Sequence, residues 1–470
     1  MEKTKKDKQR PPIIAVLGHV DHGKTTLLDN IRKSSIASRE AGGITQSIGA
    51  SVIKTPEGEQ ITFIDTPGHA AFSNMRSRGA KVADIAILVV AANDGVKPQT
   101  KEAISFIRDV NIPIIVAITK IDLPAVDEDL VKDQLGKEGI KLEGKGGDVP
   151  AVSLSGKTGE GVNDLLEMIN LVSEVNEIQG DVDASLEAVI IETDKDKRGL
   201  LASAVVRNGT LSVGDEIIAE SVETKVRGLF DYEGKSIKTV GPGDPVQIIG
   251  FSKLPPVGAK IISKSDYSFG KNDAKFDTKR EVPKVGEDQI PIVVKASSTG
   301  CLEAVLGGID EDVIVIHSGV GDIIENDVFM AKSSGADIVA FESKATSSVK
   351  KLADTEGVKI SSFDVIYELF DKLKDMLKSS TDTVLGRAEI LATFPFSGQV
   401  VAGCKVVEGR LTKDDNFVVK REGKEIGKAK AVSIKREKKN IDIAKAGEEL
   451  GILFDKKLDF EVGDVVLSVR

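Results

Sequence analysis

The sequence predicts a multidomain chain of mixed α/β and β architecture. The expected parts are an α/β domain with a parallel sheet, a β-barrel, a small α/β sandwich domain, a long connecting helix and a second β-barrel. Three observations predict this order. Residues 13–180 alternate short apolar runs with helical patterns. Residues 184–265 lose the helices and place Gly-rich turns between short strands. Residues 384–470 then repeat the turn spacing of that second segment.

Each element follows from its local pattern. IIAVL (13–17), ITFI (61–64), IAILVV (85–90), IPIIVAI (112–118) and VPAVSL (149–154) are continuous apolar runs, as in strands covered on both faces of a parallel sheet. Gln99–Val110 and Val162–Ser173 carry apolar residues at helical spacing. Residues 1–12 are basic, are interrupted by Glu2 and Asp7, and lack an apolar core, which predicts a disordered tail and no targeting peptide. RNGTLSVGD and VGPGDP mark turns of the first barrel. Residues 266–289 are rich in Gly, Lys and Asp and read as a linker. IPIVVKA, VIVIH, DIVAF and VKISSF supply the strands of an α/β layer over 290–362. The connecting helix, 363–380, sets Ile366, Leu369, Phe370, Leu373, Met376 and Leu377 on one face. In the last segment three turns match the first barrel in order: Gly209–Asp215 with Gly409–Asp415, GPGDPVQIIGF with AGEELGILF, and PVGAKII with EVGDVVL. That predicts two copies of one small barrel.

Composition narrows the function classes. With 470 residues and a net charge of -10, the chain is large enough for several domains and is no uniformly basic nucleic-acid coat. Cys301 and Cys404 lie far apart without CxxC spacing, which argues against a disulfide scaffold or zinc site. No apolar run approaches the roughly 18 residues of a membrane span. A cytoplasmic monomer is expected. The absence of Trp leaves base stacking with little support.

Gly18-His19-Val20-Asp21-His22-Gly23-Lys24-Thr25-Thr26 follows the first strand and opens a helix, the context a P-loop requires. Its glycines let backbone N–H groups close on phosphates beside a helix N-terminus. Lys24 is expected to reach the β/γ-phosphates and the Thr25 hydroxyl to ligate Mg²⁺. Asp65-Thr66-Pro67-Gly68 ends the second apolar run, so Asp65 can hold Mg²⁺ and the Gly68 N–H can approach the γ-phosphate. His69 adjoins that contact and is the candidate for aligning the attacking water. Gly43-Ile44-Thr45-Gln46 suits a loop that orders when Thr45 meets Mg²⁺ and the γ-phosphate. The chemistry is that of a P-loop GTPase domain.

Base choice falls on Thr119-Lys120-Ile121-Asp122. Asp122 can accept from guanine N1–H and the exocyclic amine, whereas adenine presents an acceptor at N1. The Lys120 stem can lie along the base. An Asn at the first position would donate to guanine N7 and brace the phosphate loop; Thr119 can donate once. Ser155-Gly156-Lys157 can offer a backbone N–H to guanine O6. GTP and Mg²⁺ are the expected cofactors.

With these residues assembled, the chain resembles the bacterial translation initiation factor two family. GHVDHGKTT, EAGGITQSIGA, DTPGHAAFSNMR and AANDGVKPQT are similar to its GTPase domain, and HSGVGDIIENDV (317–328) and LGRAEI…AGCKVVEGRL (385–411) extend the likeness over nearly the whole chain. The resemblance implies a ribosome-dependent GTPase whose last barrel holds formylmethionyl initiator tRNA, whose GTP form promotes subunit joining, and whose His69 is placed by ribosomal RNA. It further implies that Asp21 contributes near the phosphates through a monovalent cation, and that Cys404, Lys435, Arg436, Lys438 and Glu449 bind the tRNA. Thr119 stands where the family usually has Asn, Gly156 where it has Ala, Glu437 where it has an aromatic and Leu450 where it has a second Cys. Two rivals remain open: an elongation-type or selenocysteine-tRNA carrier, and a GTP-gated RNA-binding or assembly protein that scarcely hydrolyses GTP.

Overall fold

The computed structural model describes residues 10–34, 44–55, 58–124, 126–267, 289–380, 384–396, 399–421, 424–436 and 439–469. The basic tail up to residue 9 and the linker segment 268–288 lie outside the described residues. The chain is a multidomain α/β and β protein. Its contacts divide it into two compact units, one of Met1–Val285 with Pro291–Phe370 and one of Gly286–Ile290 with Asp371–Arg470.

The first unit begins with a six-stranded sheet. Its strands are β1 (Ile13–Gly18), β2 (Gly49–Lys54), β3 (Gln60–Asp65), β4 (Ile85–Ala91), β5 (Ile114–Thr119) and β6 (Ala151–Ser153), arranged β2-β3-β1-β4-β5-β6. All neighbours pair in parallel except β2, which runs antiparallel to β3. Every residue of β1 and β4 is buried, as the unbroken apolar runs require when both faces are covered. The covering helices are α1 (Lys24–Arg32), α2 (Ser73–Val82), α3 (Pro98–Val110), α4 (Glu128–Lys137) and α5 (Val162–Val175). Strand β2 is an addition to the sequence reading. It alternates exposure, with Ser51 and Ile53 inward, and so presents no continuous run to read. Five parallel strands point their carboxyl ends the same way, and ligands of open α/β sheets bind at that end.

Strands from Glu187 to Ser263 form the first barrel. In the second unit, strands from Val384 to Val469 form another, around a core that includes Phe417, Phe454 and Ile452. The three matched turns recur bond for bond. The N–H groups of Ser212 and Thr412 donate to Asp215 and Asp415 (2.7 and 2.9 Å). Those of Gly243 and Gly447 donate to the carbonyls of Val206 and Val406 (2.7 and 2.8 Å). Those of Gly258 and Gly463 donate to Ile190 and Ile390 (2.8 Å each). Gly209 and Gly409 both take left-handed φ, at 72° and 68°. A Cβ at either would lie within 2.7 Å of a backbone carbonyl, so both the angle and the space demand glycine.

Between the barrels in sequence lies a four-stranded sheet of Val313–Val320, Ile290–Ala296, Asp337–Phe341 and Ile360–Phe363, in that spatial order. Its helices are α6 (Thr299–Gly307), α7 (Glu325–Ser333) and α8 (Ser347–Glu356). Helix α9 (Ile366–Ser380) follows, with Ile366 and Leu369 fully buried. The Arg10 and Asp84 side chains, 6% and 8% exposed, pair bidentately at 2.6 and 2.7 Å, and Arg207 of the barrel reaches the same carboxylate. Glu192 of the barrel accepts from Ser298 and from the Gly300 N–H at the start of α6. No helix among the described residues is long and apolar enough to cross a membrane.

Candidate functional site

The phosphate loop runs from the end of β1 into α1. Gly18 is demanded by close approach, since a Cβ there would lie 2.4 Å from the Val89 carbonyl oxygen of β4. Gly23 caps α1 at φ 84°, a conformation in which a side chain is strained. Asp21 takes φ 59° without that freedom and is exposed, as is Thr26; His19 and Val20 are half-buried. The loop therefore opens on the positive end of a helix, a ready seat for an anion.

Lys24 is 6% exposed, and its ammonium donates to the carbonyls of Gly18 (3.1 Å) and His19 (2.7 Å). Burial draws its pKa down to about 8, against the pull of the Asp65 carboxylate. His22 is buried beneath the loop. Its Nδ1 accepts from the Ala91 N–H, and its Nε2 lies 3.3 Å from Asp94 Oδ2. Burial holds His22 at about pKa 4, so the ring is neutral and carries its proton on Nε2. Its side chain faces β4 and Asp94; it supports the loop from below.

The hydroxyls predicted as metal ligands meet. Thr25 Oγ1 and Thr45 Oγ1 lie 2.7 Å apart. Asp65 is 6% exposed, and its Oδ1 is buried with no hydrogen-bond partner. Burial raises the Asp65 pKa, while Arg32 and Lys24 oppose the shift. An orphaned buried carboxylate oxygen is costly unless a cation compensates it. A hard divalent cation favours such oxygen donors, so this set fits Mg²⁺. Gly43 lies outside the described residues; Ile44 is half-buried and Gln46 buried.

The loop after Asp65 is organised by a residue the sequence reading passed over. Arg76 of α2 is fully buried; it donates to the carbonyls of Pro67 (3.0 Å) and His69 and pairs with Glu102 at 2.6 Å. A charged side chain on the inward face of a helix is the signal that identifies it. Thr66 donates to the Val16 carbonyl at 2.8 Å. Gly68 approaches the phosphate-loop lysine closely: a Cβ there would lie 2.5 Å from Lys24 Nζ. His69 Nδ1 accepts from the Ala71 N–H at 3.0 Å, which leaves the proton on Nε2. Burial and the neighbouring Arg76 lower its pKa, so the ring is neutral near pH 7.

At the base end, Thr119 donates to the His22 carbonyl at 2.6 Å. The brace to the phosphate loop is therefore kept; what the Thr gives up is a donor toward the base. Lys120 sits at φ 62°, a left-handed conformation that costs a non-Gly residue about 1–2 kcal/mol. Asp122 is exposed, and its Oδ1 accepts from Ser155 Oγ at 2.8 Å, with the Thr158 N–H donating to that Ser155 oxygen. Ser155 thus aims the carboxylate by its side chain, a role the sequence reading missed. Gly156 packs on α1: a Cβ would lie 2.9 Å from the Leu27 nitrogen, so an Ala cannot enter unless α1 shifts. Lys157 is exposed.

In the second unit a cavity of about 660 Å³ brings together Cys404, Lys435, Arg436 and Glu449 with Phe394 and Leu450. Lys438 and Glu437 lie outside the described residues. Cys404 is 2% exposed, and burial pushes its thiol up to about 12, so it is a small apolar surface and no nucleophile. Arg436 pairs with Glu448 at 2.6 Å. Phe394 is 55% exposed and Leu391 46%, leaving an apolar edge on the cavity.

Comparison with known proteins agrees with this layout. Residues 9–174 match the Elongation factor Tu GTP binding domain, 185–264 Elongation factor G domain 2, 270–374 Translation-initiation factor 2, and 389–467 Elongation factor Tu domain 4. A protein of Nitratiruptor sp. named Translation initiation factor IF-2 is 41% identical over 98% of this chain and 59% of its own length. A protein of the same name in Thermus thermophilus is 39% identical over 99% of this chain and 87% of its own. A crystal structure of GDP-bound aIF5B from Aeropyrum pernix aligns over 98% of this chain and 92% of its own at 25% identity, with a TM-score of 0.44. The chain thus spans between about three-fifths and nine-tenths of these relatives. With two long alignments at about 40% identity and domain matches in the same order, this chain belongs to the translation initiation factor IF-2 family.

Proposed function

We propose that the chain is a GTP-dependent initiation switch that binds the ribosome and formylmethionyl initiator tRNA, promotes subunit joining and hydrolyses GTP on the ribosome. The observation that carries the nucleotide part is the meeting of Thr25 and Thr45 at 2.7 Å, with Asp65, whose buried oxygen has no hydrogen-bond partner, lining the same cavity as Thr45. In this reading Gly18–Thr26 and Gly68 cradle the phosphates, and Thr25, Thr45 and Asp65 hold Mg²⁺, which supplies charge neutralisation when bound. Asp21 faces a monovalent cation at the loop mouth. Thr119, Lys120, Asp122 and Ser155–Lys157 read guanine. Residues 13–180 are the nucleotide domain, 184–265 and 290–362 the following barrel and α/β domains, and 384–470 the tRNA-binding barrel. Contacts of Thr45 and Gly68 with the γ-phosphate order the two loops, and hydrolysis releases them.

For the last barrel, the supporting observation is the cavity that joins an apolar edge to Lys435 and Arg436. An uncharged formylated amino end suits the apolar wall, and the basic pair suits the acceptor-end phosphates. A titration of the full chain with formylmethionyl-tRNA and the unformylated form tests this; equal affinities sink it. GTP binding tighter than ATP binding, with phosphate release stimulated by ribosomes, tests the rest. Absence of stimulation favours a GTP-gated assembly protein. Thr119→Asn is expected to tighten GDP and GTP binding by no more than about tenfold, the worth of one neutral hydrogen bond, with base preference unchanged. A nucleotide titration without any tightening means the N7 donor comes from elsewhere.

A further inference from the structure

The first turn of α9 touches both loops of the nucleotide site. Gln46, next to Thr45 and 3% exposed, donates to the Asp364 carbonyl at 2.6 Å and accepts from the Ile366 N–H at 3.2 Å. One side chain of the Thr45 loop thus supplies the helix's missing N-terminal partner. One residue on, the Tyr367 ring meets the His69 ring edge to face, with centroids 4.2 Å apart and planes at 89°. Tyr367 is 49% exposed, and the Asp21 carboxylate is near enough to raise its phenol, after burial. The Tyr367 ring therefore lies beside His69. His69 is held at two points: by the Ala71 N–H on Nδ1 within its own loop, and by Tyr367 from another element.

A residue that aligns water only on the ribosome has to be idle before it. The Ala71 bond moves with the His69 loop, so it cannot signal the position of anything else. The Tyr367 contact can, because it moves with α9. We propose that Tyr367 is a positioning residue for His69, holding the imidazole and its Ala71-bonded loop idle until the first turn of α9 shifts and frees them, with the Ala71 bond kept, to align water. The inference rests on the water-aligning role expected of His69 from its place after Gly68.

The contact is aromatic, so its loss and its retention are separable. Tyr367→Ala is expected to raise unstimulated GTP turnover about three- to tenfold, the population change an edge-to-face pair controls. GTP affinity should be unchanged, since Tyr367 is half-exposed and its ring contact is with His69. Tyr367→Phe keeps the ring and should match the parent. The same pair should separate in an NMR titration of His69. Its charged surroundings are Arg76 from α2, itself paired with Glu102, and Asp21 beyond Tyr367. Removing the ring exposes the imidazole and moves its midpoint up toward the ordinary value, whereas Tyr367→Phe leaves it in place. In a His69→Ala background Tyr367→Ala should add nothing. Turnover in Tyr367→Ala equal to the parent, or a rise that persists without His69, overturns the inference. Either result leaves the role of His69 standing; that role falls only if His69→Ala alone keeps ribosome-stimulated turnover.

Discussion

His69→Ala is expected to lower ribosome-stimulated GTP turnover by about 10²–10⁴-fold while GTP and GDP affinities stay within about twofold. The Lys24 ammonium is held by the Gly18 and His19 carbonyls and the Thr25 hydroxyl lies against that of Thr45, so binding has no reason to change. Its position after Gly68 puts it next to the point where backbone comes within side-chain distance of Lys24. The Ala71 N–H on Nδ1 decides the chemistry. With that nitrogen occupied as an acceptor, Nε2 carries the proton and can only donate. The ring in this arrangement orients a water or a phosphate oxygen and takes no proton. His69→Gln, which retains a donor, should recover part of the rate. Burial lowers the His69 pKa, so the neutral ring persists somewhat below the ordinary imidazole value of about 6.5, and stimulated turnover should fall only at lower pH. The variant also loses an N-terminal cap on the short helix that follows, worth roughly 1 kcal/mol, so a thermal melt belongs beside the kinetics. Stimulated turnover within threefold of the parent removes His69 from the mechanism.

How much was legible in the sequence depended on whether the chemistry fixes a spacing. The phosphate loop was readable because strand, glycines, Lys and Thr have to follow one another without gaps. The two barrels were readable because Gly209 and Gly409 need left-handed φ in the same crowded turn, so the spacing to Asp215 and Asp415 is preserved while the strands between diverge. Contacts between distant segments left no such mark. The Thr119 hydroxyl finds the His22 carbonyl 97 residues away, and Gln46 finds Asp364 across 318. A sequence shows that Thr can donate once; only the fold shows to what. Strand β2 escaped because it is covered on one face only, and alternation over six residues is a weak signal. Arg76 was read as part of a motif, yet its fully buried guanidinium, holding two carbonyls of the His69 loop, is what fixes that loop.

Nucleotide affinity should weaken about fivefold between pH 8 and pH 9, with close to one proton taken up per GTP bound at pH 9. The cause is Lys24, whose ammonium in the free protein is buried at 6% exposure and loses its proton at about pH 8. Bound phosphates restore the charge, because a dianionic partner within hydrogen-bond reach favours the protonated amine. The pKa is lower in the free protein than in the complex, so full affinity is present below about pH 8 and is lost as pH rises through it. Well above that midpoint each pH unit costs about 1.4 kcal/mol, a factor of ten. Lys24→Met should bind GTP roughly 10–100-fold more weakly at pH 7, the worth of a charge-assisted hydrogen bond to phosphate, and should lose the pH dependence between 7.5 and 9. Calorimetry in two buffers of different ionisation enthalpy measures the proton count; an uptake near zero at pH 9 in the parent protein means the loop carbonyls of Gly18 and His19 already keep Lys24 charged. The His22 carbonyl, held by Thr119, adds a control. Thr119→Asn keeps a donor for the His22 carbonyl and adds one toward the base, and should leave the proton count as it was, since the ionising group sits at the phosphate end. A count that shifts with Thr119 would mean that the brace, and not burial, sets the charge on Lys24.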